Sequence, residues 1–322
     1  MEKKDWQGKP YYSLDAWCKE TLQHKCYKVA LNAHMTCPNR DGTLGTRGCI
    51  FCSAGGSGEF AVDTVGTDIA EQLSAGIRLI SHKLPDTEAP CIIAYFQAYT
   101  NTYAPVSYLR KIFTSTLQQP DVCGISIATR PDCLPEKVLS LLSELKRRFP
   151  DKFIWVELGL QTIHEKTAAF IRRGYALSCF ETAVQQLHSL DIPVIVHVIL
   201  GLPGETAADM LETIRYLNRR SIFGIKLQLL HVLQNTDLAD CYEKNEFDVL
   251  DKYEYLDLLI ACLENLSPEI VVHRVTGDGP KKLLIAPLWS CDKRDVLNSL
   301  HRMMREGNSY QGKQWIAMQS ER

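Results

Sequence analysis

Three cysteines near the N-terminus have the residue type and spacing of a metal site. Cys37, Cys49 and Cys52 lie in the stretch CPNRDGTLGTRGCIFC, with eleven residues between the first two thiols and two between the last two. Two thiolates in a C-x2-C spacing can bind one metal centre, because the chain between them turns tightly enough to aim both sulfurs inward. The set is one ligand short of a closed tetrahedral zinc site.

Three kinds of site fit these thiols. His34 would complete a zinc site as a fourth ligand, or the thiols would form a reduced set without metal. The third alternative is an iron–sulfur cluster held by three cysteines, which leaves one iron open to an exogenous ligand. Gly55 and Gly56 follow the last thiol, and glycine lets backbone approach a bound ligand closely. These glycines favour the open cluster.

The elements that must position this loop alternate along the chain. Apolar, β-branched runs predict strands, and the amphipathic runs between them predict helices, a pattern typical of a parallel sheet. Ligand sites in such folds lie at the carboxyl ends of the strands, where the cysteine loop falls. The predicted strands are 26–33, 91–98, 122–129, 153–160, 193–201 and 224–232, and the predicted helices are 68–83, 105–117, 135–148, 164–172, 178–189 and 206–219.

The chain after about residue 250 follows a different pattern. It predicts a helix in YEYLDLLIACLENL, one more strand in EIVVHRVTG and a terminal helix in KRDVLNSLHRMMREG. We therefore expect a core over residues 1–250 and an α/β extension over 251–322 that packs on it.

The composition is ordinary for a soluble globular protein with a sizeable core. Of 322 residues, 45% are hydrophobic and 23% charged, and the net charge of −2 argues against a large nucleic-acid footprint but not against a local basic patch. The sequence predicts no signal peptide and no membrane span, so we expect a cytoplasmic protein. The 12 cysteines then favour reduced thiols, and we expect Cys123, Cys179 and Cys262 to be buried and free.

The cysteine loop resembles that of the radical S-adenosylmethionine (SAM) superfamily. The resemblance implies that Cys37, Cys49 and Cys52 hold a [4Fe–4S] cluster whose open iron binds SAM, and that a 5′-deoxyadenosyl radical abstracts hydrogen from a substrate. It also implies a partial (β/α)6 TIM-like barrel with the C-terminal α/β extension. The usual spacing is C-x3-C-x2-C, and a longer first gap such as this one occurs in the Elp3-like branch.

The same resemblance implies residues that contact SAM. Gln161, in ELGLQT, would contact the ribose, and Arg173 the carboxylate, which a planar guanidinium recognises in bidentate fashion. A helix-capping role is the alternative for Arg173, and a satisfied core histidine is the alternative to a ribose contact for His197. The other implied SAM contacts are Phe51 and Leu202 along the adenine, Gly55 and Gly56 near the methionine amino group, and Thr129 and Arg130 at the SAM end.

Seven segments from CPNRDGTLGTRGCIFCSAGGSGEF to HRVTGDGPKKLLIAPLW resemble the YhcC/YtqA family over most of the chain. One branch of that family, called MnmL, is implicated in modifying the wobble uridine of tRNA, at the step from a 5-carboxymethylaminomethyl toward an aminomethyl or methylaminomethyl side chain. The implied partners are tRNA, an electron donor such as flavodoxin or ferredoxin, and a downstream methyltransferase. We expect substrate contacts from Gln97 and Asn101, in QAYTNTYAP.

Two other functions stay open at this point. One keeps the radical SAM chemistry but changes the substrate to a peptide or a small metabolite. The other is a zinc-stabilised α/β binding protein without catalysis, in which the three thiols are structural.

Overall fold

The structure is a computed structural model that describes residues 4–56, 58, 59, 61, 68–84, 90–277 and 279–315. Its centre is a sheet of seven parallel strands, whose spatial order follows the chain order and which curls into a half-barrel. The strands of this sheet are β1 Cys26–Leu31, β2 Cys91–Phe96, β3 Val122–Thr129, β4 Phe153–Gln161, β5 Val194–Leu200, β6 Gly224–Leu229 and β8 Val271–Arg274.

A second, antiparallel pair joins β7 (Val232–Leu233) to β9 (Leu284–Ala286) beside the carboxyl end of β6. Helices connect the parallel strands, as parallel pairing requires. They are α1 Leu14–Thr21, α2 Ile69–Ile80, α3 Val106–Leu117, α4 Glu136–Arg148, α5 Glu165–Phe170, α6 Leu177–Ser189, α7 Ala207–Leu217, α8 Asp237–Glu243, α9 Lys252–Asn265 and α10 Lys293–Glu306. In the described part of the chain, no helix has the length and apolar character that a bilayer crossing requires.

The two faces of the sheet differ in chemistry because successive side chains alternate along a strand. One face is the main hydrophobic core, where Val29, Ile92 and Ile125 pack against the helices. The other face lines the inside of the half-barrel and carries polar groups, among them Lys28 and Glu157. The interior is therefore polar where a substrate would bind.

Helix α1 closes the amino end of the half-barrel. Its N-cap is Ser13, whose side chain accepts a hydrogen bond from the amide of Ala16. Trp17 on this helix lies edge-on to Trp155 and Phe223, at 5.2 Å between ring centroids in each case. The sequence prediction missed α1, which is only eight residues long.

The six predicted strands and the α/β fold are confirmed. The sixth strand is shorter than predicted and ends at Leu229, before the separate strand β7. The strand predicted in the C-terminal extension is also present as β8, and it pairs in parallel with β6. The last described third of the chain thus adds a seventh strand to the same sheet; the boundary at residue 250 stays a prediction.

Candidate active site

A cavity opens at the carboxyl ends of the parallel strands. All three cysteines of the N-terminal loop line it, so the loop after β1 reaches over the strand ends. Of the predicted SAM and substrate contacts, the cavity is lined by Phe51, Gly56, Thr129, Arg130, Gln161, Arg173, His197 and Gln97. The convergence of these positions on one cavity is what a site at the strand ends of an α/β barrel requires.

The long gap between Cys37 and Cys49 is a compact, hydrogen-bonded loop. The amide of Arg40 donates to the Cys37 carbonyl at 2.8 Å, and the amide of Gly48 donates to the Asn39 carbonyl at 2.8 Å. The Asn39 side chain donates to the Arg172 carbonyl at 2.8 Å and lies 3.4 Å from the Cys49 sulfur. The loop therefore returns the chain so that Cys49 faces the same cavity as Cys37.

Arg40 fixes the other end of the loop. Its guanidinium donates to the carbonyls of Cys52 and Ser53 at 2.7 and 2.6 Å. Burial raises the pKa of the Cys49 thiol to about 12, and the neighbouring Cys52 adds to this effect. Burial also raises the pKa of Cys52, against the opposing effect of Arg40. Thiols with raised pKa values become stable thiolates when a cationic metal centre supplies positive charge.

Gln161 carries a buried polar atom that points to a ligand. Its backbone has a positive φ of 68° at a register irregularity between β4 and β5. Its Oε1 atom is buried and has no hydrogen-bond partner within the protein. A non-glycine residue in this conformation at a binding site is typical of backbone fixed for function. A hydroxyl of a ligand in the cavity would satisfy Oε1.

Gly56 supplies backbone where a side chain would not fit. Its φ is +59°, and a Cβ atom there would lie 2.3 Å from the ring of Tyr99. The Tyr99 amide donates to the Gly56 carbonyl at 2.9 Å, which fixes the glycine turn on the loop after β2. Only glycine fits this conformation and this contact.

Comparisons with known proteins decide which family builds such a site. The sequence profile of the radical SAM superfamily matches residues 42–217, and the profile of the Radical_SAM C-terminal domain matches residues 222–306. This chain belongs to the radical SAM superfamily. YtqA of Bacillus subtilis (strain 168) is 44% identical over 313 residues, which are 97% of this chain and 95% of YtqA. The radical SAM chain is thus a member of the YhcC/YtqA family.

Two further matches connect the radical SAM chain to the Elp3-like branch. The tRNA uridine(34) acetyltransferase of Methanocaldococcus jannaschii is 24% identical over 166 residues, which are 50% of this chain and 29% of that protein. The solved structure of the archaeal Methanocaldococcus infernus Elp3 with an N-terminal deletion has a TM-score of 0.66 at 15% identity, covering 89% of this chain and 64% of that one. The second match shows a shared fold.

The radical SAM chain is an enzyme, and its cofactors are a [4Fe–4S] cluster and SAM. Family membership overturns the alternative of a non-catalytic zinc-binding protein. His34 is exposed and is not among the residues that line the cavity. The donor set of three thiols, with the unpartnered Gln161 oxygen in the lining of the same cavity, fits a cluster with a SAM molecule beside it.

The two arginines predicted at the SAM end lie on either side of one aromatic ring. The Arg130 and Arg173 guanidinium carbons are each 5.0 Å from the centroid of Tyr175. Arg130 makes two hydrogen bonds to the carboxylate of Asp132, at 2.9 and 2.7 Å. Both guanidiniums line the cavity wall.

Arg173 is more fully engaged by the protein. Its Nη1 donates to the Thr162 carbonyl at 2.6 Å, its Nε to the Tyr175 carbonyl at 3.0 Å, and its Nη2 to Glu165 at 3.1 Å. These bonds tie the end of β4 to the chain before α6. The carbonyls that accept from the Arg173 side chain lie at the end of β4 and before α6 and not at a helix end, so they do not match the helix-capping alternative. The contact of Arg173 with the SAM carboxylate stays a prediction.

Three predicted contacts lie outside the cavity lining. Asn101 is completely buried, and its amide donates to the carbonyls of Phe96 and Ala128 at 3.0 and 2.9 Å. It joins the ends of β2 and β3 through its side-chain nitrogen, and its contact with a substrate stays a prediction. Leu202 packs in the apolar cluster behind the cavity, beside Ile199. Gly55 lies behind Gly56, where a Cβ atom would be 2.9 Å from Glu59 Oε1.

The floor of the cavity carries a charge network that sequence reasoning missed. Glu157, with no exposed surface, accepts hydrogen bonds from Lys28 at 3.1 Å, Ser126 at 2.5 Å and Lys226. Burial alone would raise the pKa of Glu157, but Lys226 and Lys28 hold it well below its ordinary value. In the sequence these residues appear as single charged residues within the apolar runs of β1, β4 and β6, which are not neighbouring strands in the sheet.

His197 and Tyr95 complete this floor. The His197 ring nitrogen lies 2.6 Å from Glu157, and burial lowers the pKa of His197 to about 4. The imidazole is therefore neutral near pH 7 and donates to the carboxylate. Lys226 donates to the Tyr95 hydroxyl at 2.9 Å.

The cavity is also lined by residues from the sixth strand and the C-terminal part. Gln228, His231, Arg274 and Gly279 all line it. Strand alternation over the predicted sixth strand, 224–232, would place His231 and Gln228 on opposite faces, but β6 ends at Leu229, so this alternation does not extend to His231. Asp278, between Arg274 and Gly279 in the segment HRVTGDGP, lies outside the described residues.

Proposed function

We propose that this radical SAM enzyme modifies the wobble uridine of tRNA. Its reaction would shorten a 5-carboxymethylaminomethyl group. Loss of the whole carboxymethyl group as glyoxylate would break the bond between the amine nitrogen and the carboxymethyl carbon and leave an aminomethyl group; this two-electron oxidation would use SAM as the oxidant and water as the source of the aldehyde oxygen. Loss of carbon dioxide alone, with a proton taken up at the remaining carbon, would leave a methylaminomethyl group.

The observation that carries the proposal is a single cavity lined both by the loop cysteines with Gln161 and by the polar side chains of Gln228, His231 and Arg274. The match to a protein named as a tRNA uridine(34) acetyltransferase supports uridine as the nucleoside.

In this proposal the residues divide the work between cofactor and substrate. Cys37, Cys49 and Cys52 hold the cluster, and the Gln161 oxygen accepts a hydrogen bond from the SAM ribose. When bound, the cluster and SAM would supply hydrogen-atom abstraction, here from the C5 substituent. Phe51, which packs against Ile199, would cover the adenine. Arg130 and Arg173 would lie at the methionine end.

The polar part of the cavity lining would orient the side chain of the uridine. The carboxylate of a carboxymethylaminomethyl group needs a cationic partner, and Arg274 lines the same cavity as the cysteines. The neutral imidazole of His197 and the Tyr95 hydroxyl line the floor, where they can hold protons near the reacting carbon. Both groups are fixed by Glu157 and Lys226, so the floor keeps its geometry when substrate enters.

The rim offers a place for a base and for phosphates. The Tyr103 hydroxyl lies 2.9 Å from the Thr43 hydroxyl, and this hydrogen bond joins the loop after β2 to the cysteine loop. Leu44, the next residue of the cysteine loop, is 53% exposed. Aromatic and apolar groups in this position can stack a splayed nucleotide. Lys281 and Lys282 are exposed and directly follow Pro280 of the cavity wall, where they can contact phosphates.

The proposal implies two protein partners. A low-potential electron donor of the flavodoxin or ferredoxin type would reduce the cluster. A methyltransferase would act downstream where the product is an aminomethyl group. Both partners are part of the proposal and rest on the reaction class.

Mass spectrometry of tRNA nucleosides tests the function. A strain lacking the gene should accumulate the carboxymethylaminomethyl nucleoside and lose the aminomethyl or methylaminomethyl product. The wild-type gene should restore the parent profile, and a Cys52→Ala gene should not. An unchanged nucleoside profile in the deletion strain would contradict the proposal and direct attention to a peptide or small-metabolite substrate.

A further inference from the structure

A second group of three thiols lies at the opposite end of the same strands. The sulfur atoms of Cys26, Cys91 and Cys123 are all within 4.8 Å of one another. Cys26 and Cys91 begin β1 and β2, and they are direct partners in the parallel register, with sulfurs 3.2 Å apart. No part of the mechanism above uses these residues.

A register irregularity places the third thiol in the group. Ile92 pairs with Val122 and Ile93 pairs with Gly124, so Cys123 is an extra residue on β3 without a partner on β2. An extra residue of this kind re-aims its side chain. Val122 consequently packs in the helix-side core, whereas Cys123 packs on the barrel side near Phe153. The irregularity therefore turns Cys123 toward the side of the sheet that Cys91 and Cys26 share.

The spacing fits one metal ion and not a cluster. A zinc–sulfur bond is about 2.3 Å, so sulfurs that share one tetrahedral ion are about 3.8 Å apart. In an iron–sulfur cluster each cysteine binds a different iron, which spreads the sulfurs further. Three sulfur atoms within 4.8 Å of one another match the first case.

The surroundings allow an ion to enter and then hold it. All three thiols are half-buried, so they are reachable from solvent. Cys26 and Cys123 pack against the same buried cluster around Trp155 as the aromatic plug of Trp17, Phe153 and Phe223, which gives the site an apolar side. Soft thiolates in such a setting select Zn²⁺ or Cu⁺ over harder cations.

We propose that Cys26, Cys91 and Cys123 bind a single thiophilic d10 ion, Zn²⁺ or Cu⁺, at the amino end of the half-barrel. The site is separate from the catalytic cluster: β1 runs from Cys26 to Leu31 before the loop that carries Cys37 begins, a rise of about 17 Å. Its role is structural. The ion links three strands that are far apart in sequence, with 65 positions between Cys26 and Cys91, and closing such long loops stabilises the folded chain.

The test uses the enzyme with its [4Fe–4S] cluster already reconstituted, so that Cys37, Cys49 and Cys52 are occupied. The anaerobic holoenzyme is incubated with Zn²⁺ or with Cu⁺, freed of excess metal by gel filtration, and assayed for metal per chain. We expect one added ion per chain with unchanged iron content. The preferred metal is the one, Zn²⁺ or Cu⁺, that stays bound at the lower free metal concentration.

Matched cysteine variants locate the site. Cys91→Ser with Cys123→Ser should weaken binding of the added ion by about tenfold or more. Cys241→Ser with Cys291→Ser, two half-buried thiols outside the group, should bind it as the parent does. Where the first double variant folds poorly, Cys26→Ser alone repeats the measurement. Equal binding by the parent and the thiol-group variants would overturn the proposal.

Alkylation gives a second readout that does not depend on activity. Added metal should protect Cys26, Cys91 and Cys123 from iodoacetamide, as mapped by mass spectrometry of peptides, and leave Cys241 and Cys291 reactive. Unchanged alkylation of the three thiols in the presence of both metals would overturn the proposal. A disulfide between Cys26 and Cys91 in the anaerobically purified protein, with no bound metal, would overturn it too.

Discussion

The two cysteine groups of this enzyme occupy opposite ends of one half-barrel and are built in opposite ways. Cys37, Cys49 and Cys52 come from a single loop of the chain, at the carboxyl end of the strands. Cys26, Cys91 and Cys123 come from three different strands and meet only because parallel register brings their amino ends together. The first group is visible in the sequence, and the second exists only in the fold.

The two cysteine groups differ in their surroundings: the loop group faces the catalytic cavity, and the strand group faces the packed end of the barrel. The loop group lies beside an unpartnered Gln161 oxygen and opens into a polar cavity. In the strand group, Cys26 and Cys123 pack against the same buried cluster as the aromatic plug that closes the barrel. Between them, the buried network of Glu157 forms the floor of the cavity and joins β1, β4, β5 and β6. We therefore expect changes in the three regions to give three different kinds of defect.

The largest effect should come from the loop group. Cys52→Ala should remove the cluster and lower activity by at least about a hundredfold, because a ligand is lost outright. Cys91→Ser, its counterpart at the amino end, should retain the cluster and most of the activity. Iron content and the visible absorption of the reconstituted proteins measure the difference. Loss of iron in both variants would break the distinction between the two groups.

The floor should respond to pH through His197. The pKa of His197 is about 4 in the folded protein and 6.5 ordinarily, so the unfolded chain takes up the proton first as pH falls. Stability should therefore decline as pH falls from about 6.5 toward 4, by roughly 3 kcal/mol. Urea unfolding of the apoprotein as a function of pH measures this decline.

In His197→Gln, the stability should decline less steeply as pH falls from about 6.5 toward 4. The control is His188→Gln, because His188 is on the exposed side of α6 and has no part in the network. If stability declines as steeply with falling pH in His197→Gln as in the parent, groups other than His197 control the acid sensitivity.

Gln161 should control SAM affinity. Gln161→Ala removes one hydrogen bond to the ligand, and we expect SAM binding about tenfold weaker with the cluster retained. Gln186→Ala, on the exposed side of α6, is the control and should bind SAM as the parent does. Equilibrium dialysis of SAM against the reconstituted proteins measures both. Parent-like affinity in Gln161→Ala would remove this residue from the SAM site.

The smallest effect should come from the rim. Lys281→Glu with Lys282→Glu should weaken tRNA binding and lower the slope of log affinity against log salt by about two, one for each phosphate contact. Lys111→Glu, an exposed lysine on the outer helix α3, should change neither. An unaltered salt slope in the double variant would place the tRNA elsewhere.

Sequence reasoning succeeded where the signal is local. Apolar runs gave β1 to β6, because strands buried on both faces read as continuous hydrophobic segments. The three loop cysteines, with Phe51 and Gly56 beside them, are close in the chain and face one cavity. Residues that follow strand ends, such as Arg130 and Gln161, also reached the cavity, because parallel strands present their carboxyl ends on one side.

Sequence reasoning failed where the position of a side chain depends on strand register and packing. Asn101 reads as a rim residue, yet it turns inward to join two strand ends. Cys123 was expected to be buried and free, but an irregular register places it half-exposed beside two other thiols. Glu157 and its lysines come from separate strands, and no spacing along the chain relates them.

The central claim is that the cavity above the loop cysteines accepts a tRNA uridine, and one measurement tests it most directly. The anaerobic holoenzyme is given SAM, a chemical reductant and tRNA from the deletion strain, and 5′-deoxyadenosine and nucleosides are quantified together. We predict that tRNA stimulates 5′-deoxyadenosine formation and that the modified nucleoside appears in step with it. Formation of 5′-deoxyadenosine at the same rate without tRNA, with no change in the nucleosides, would contradict the claim.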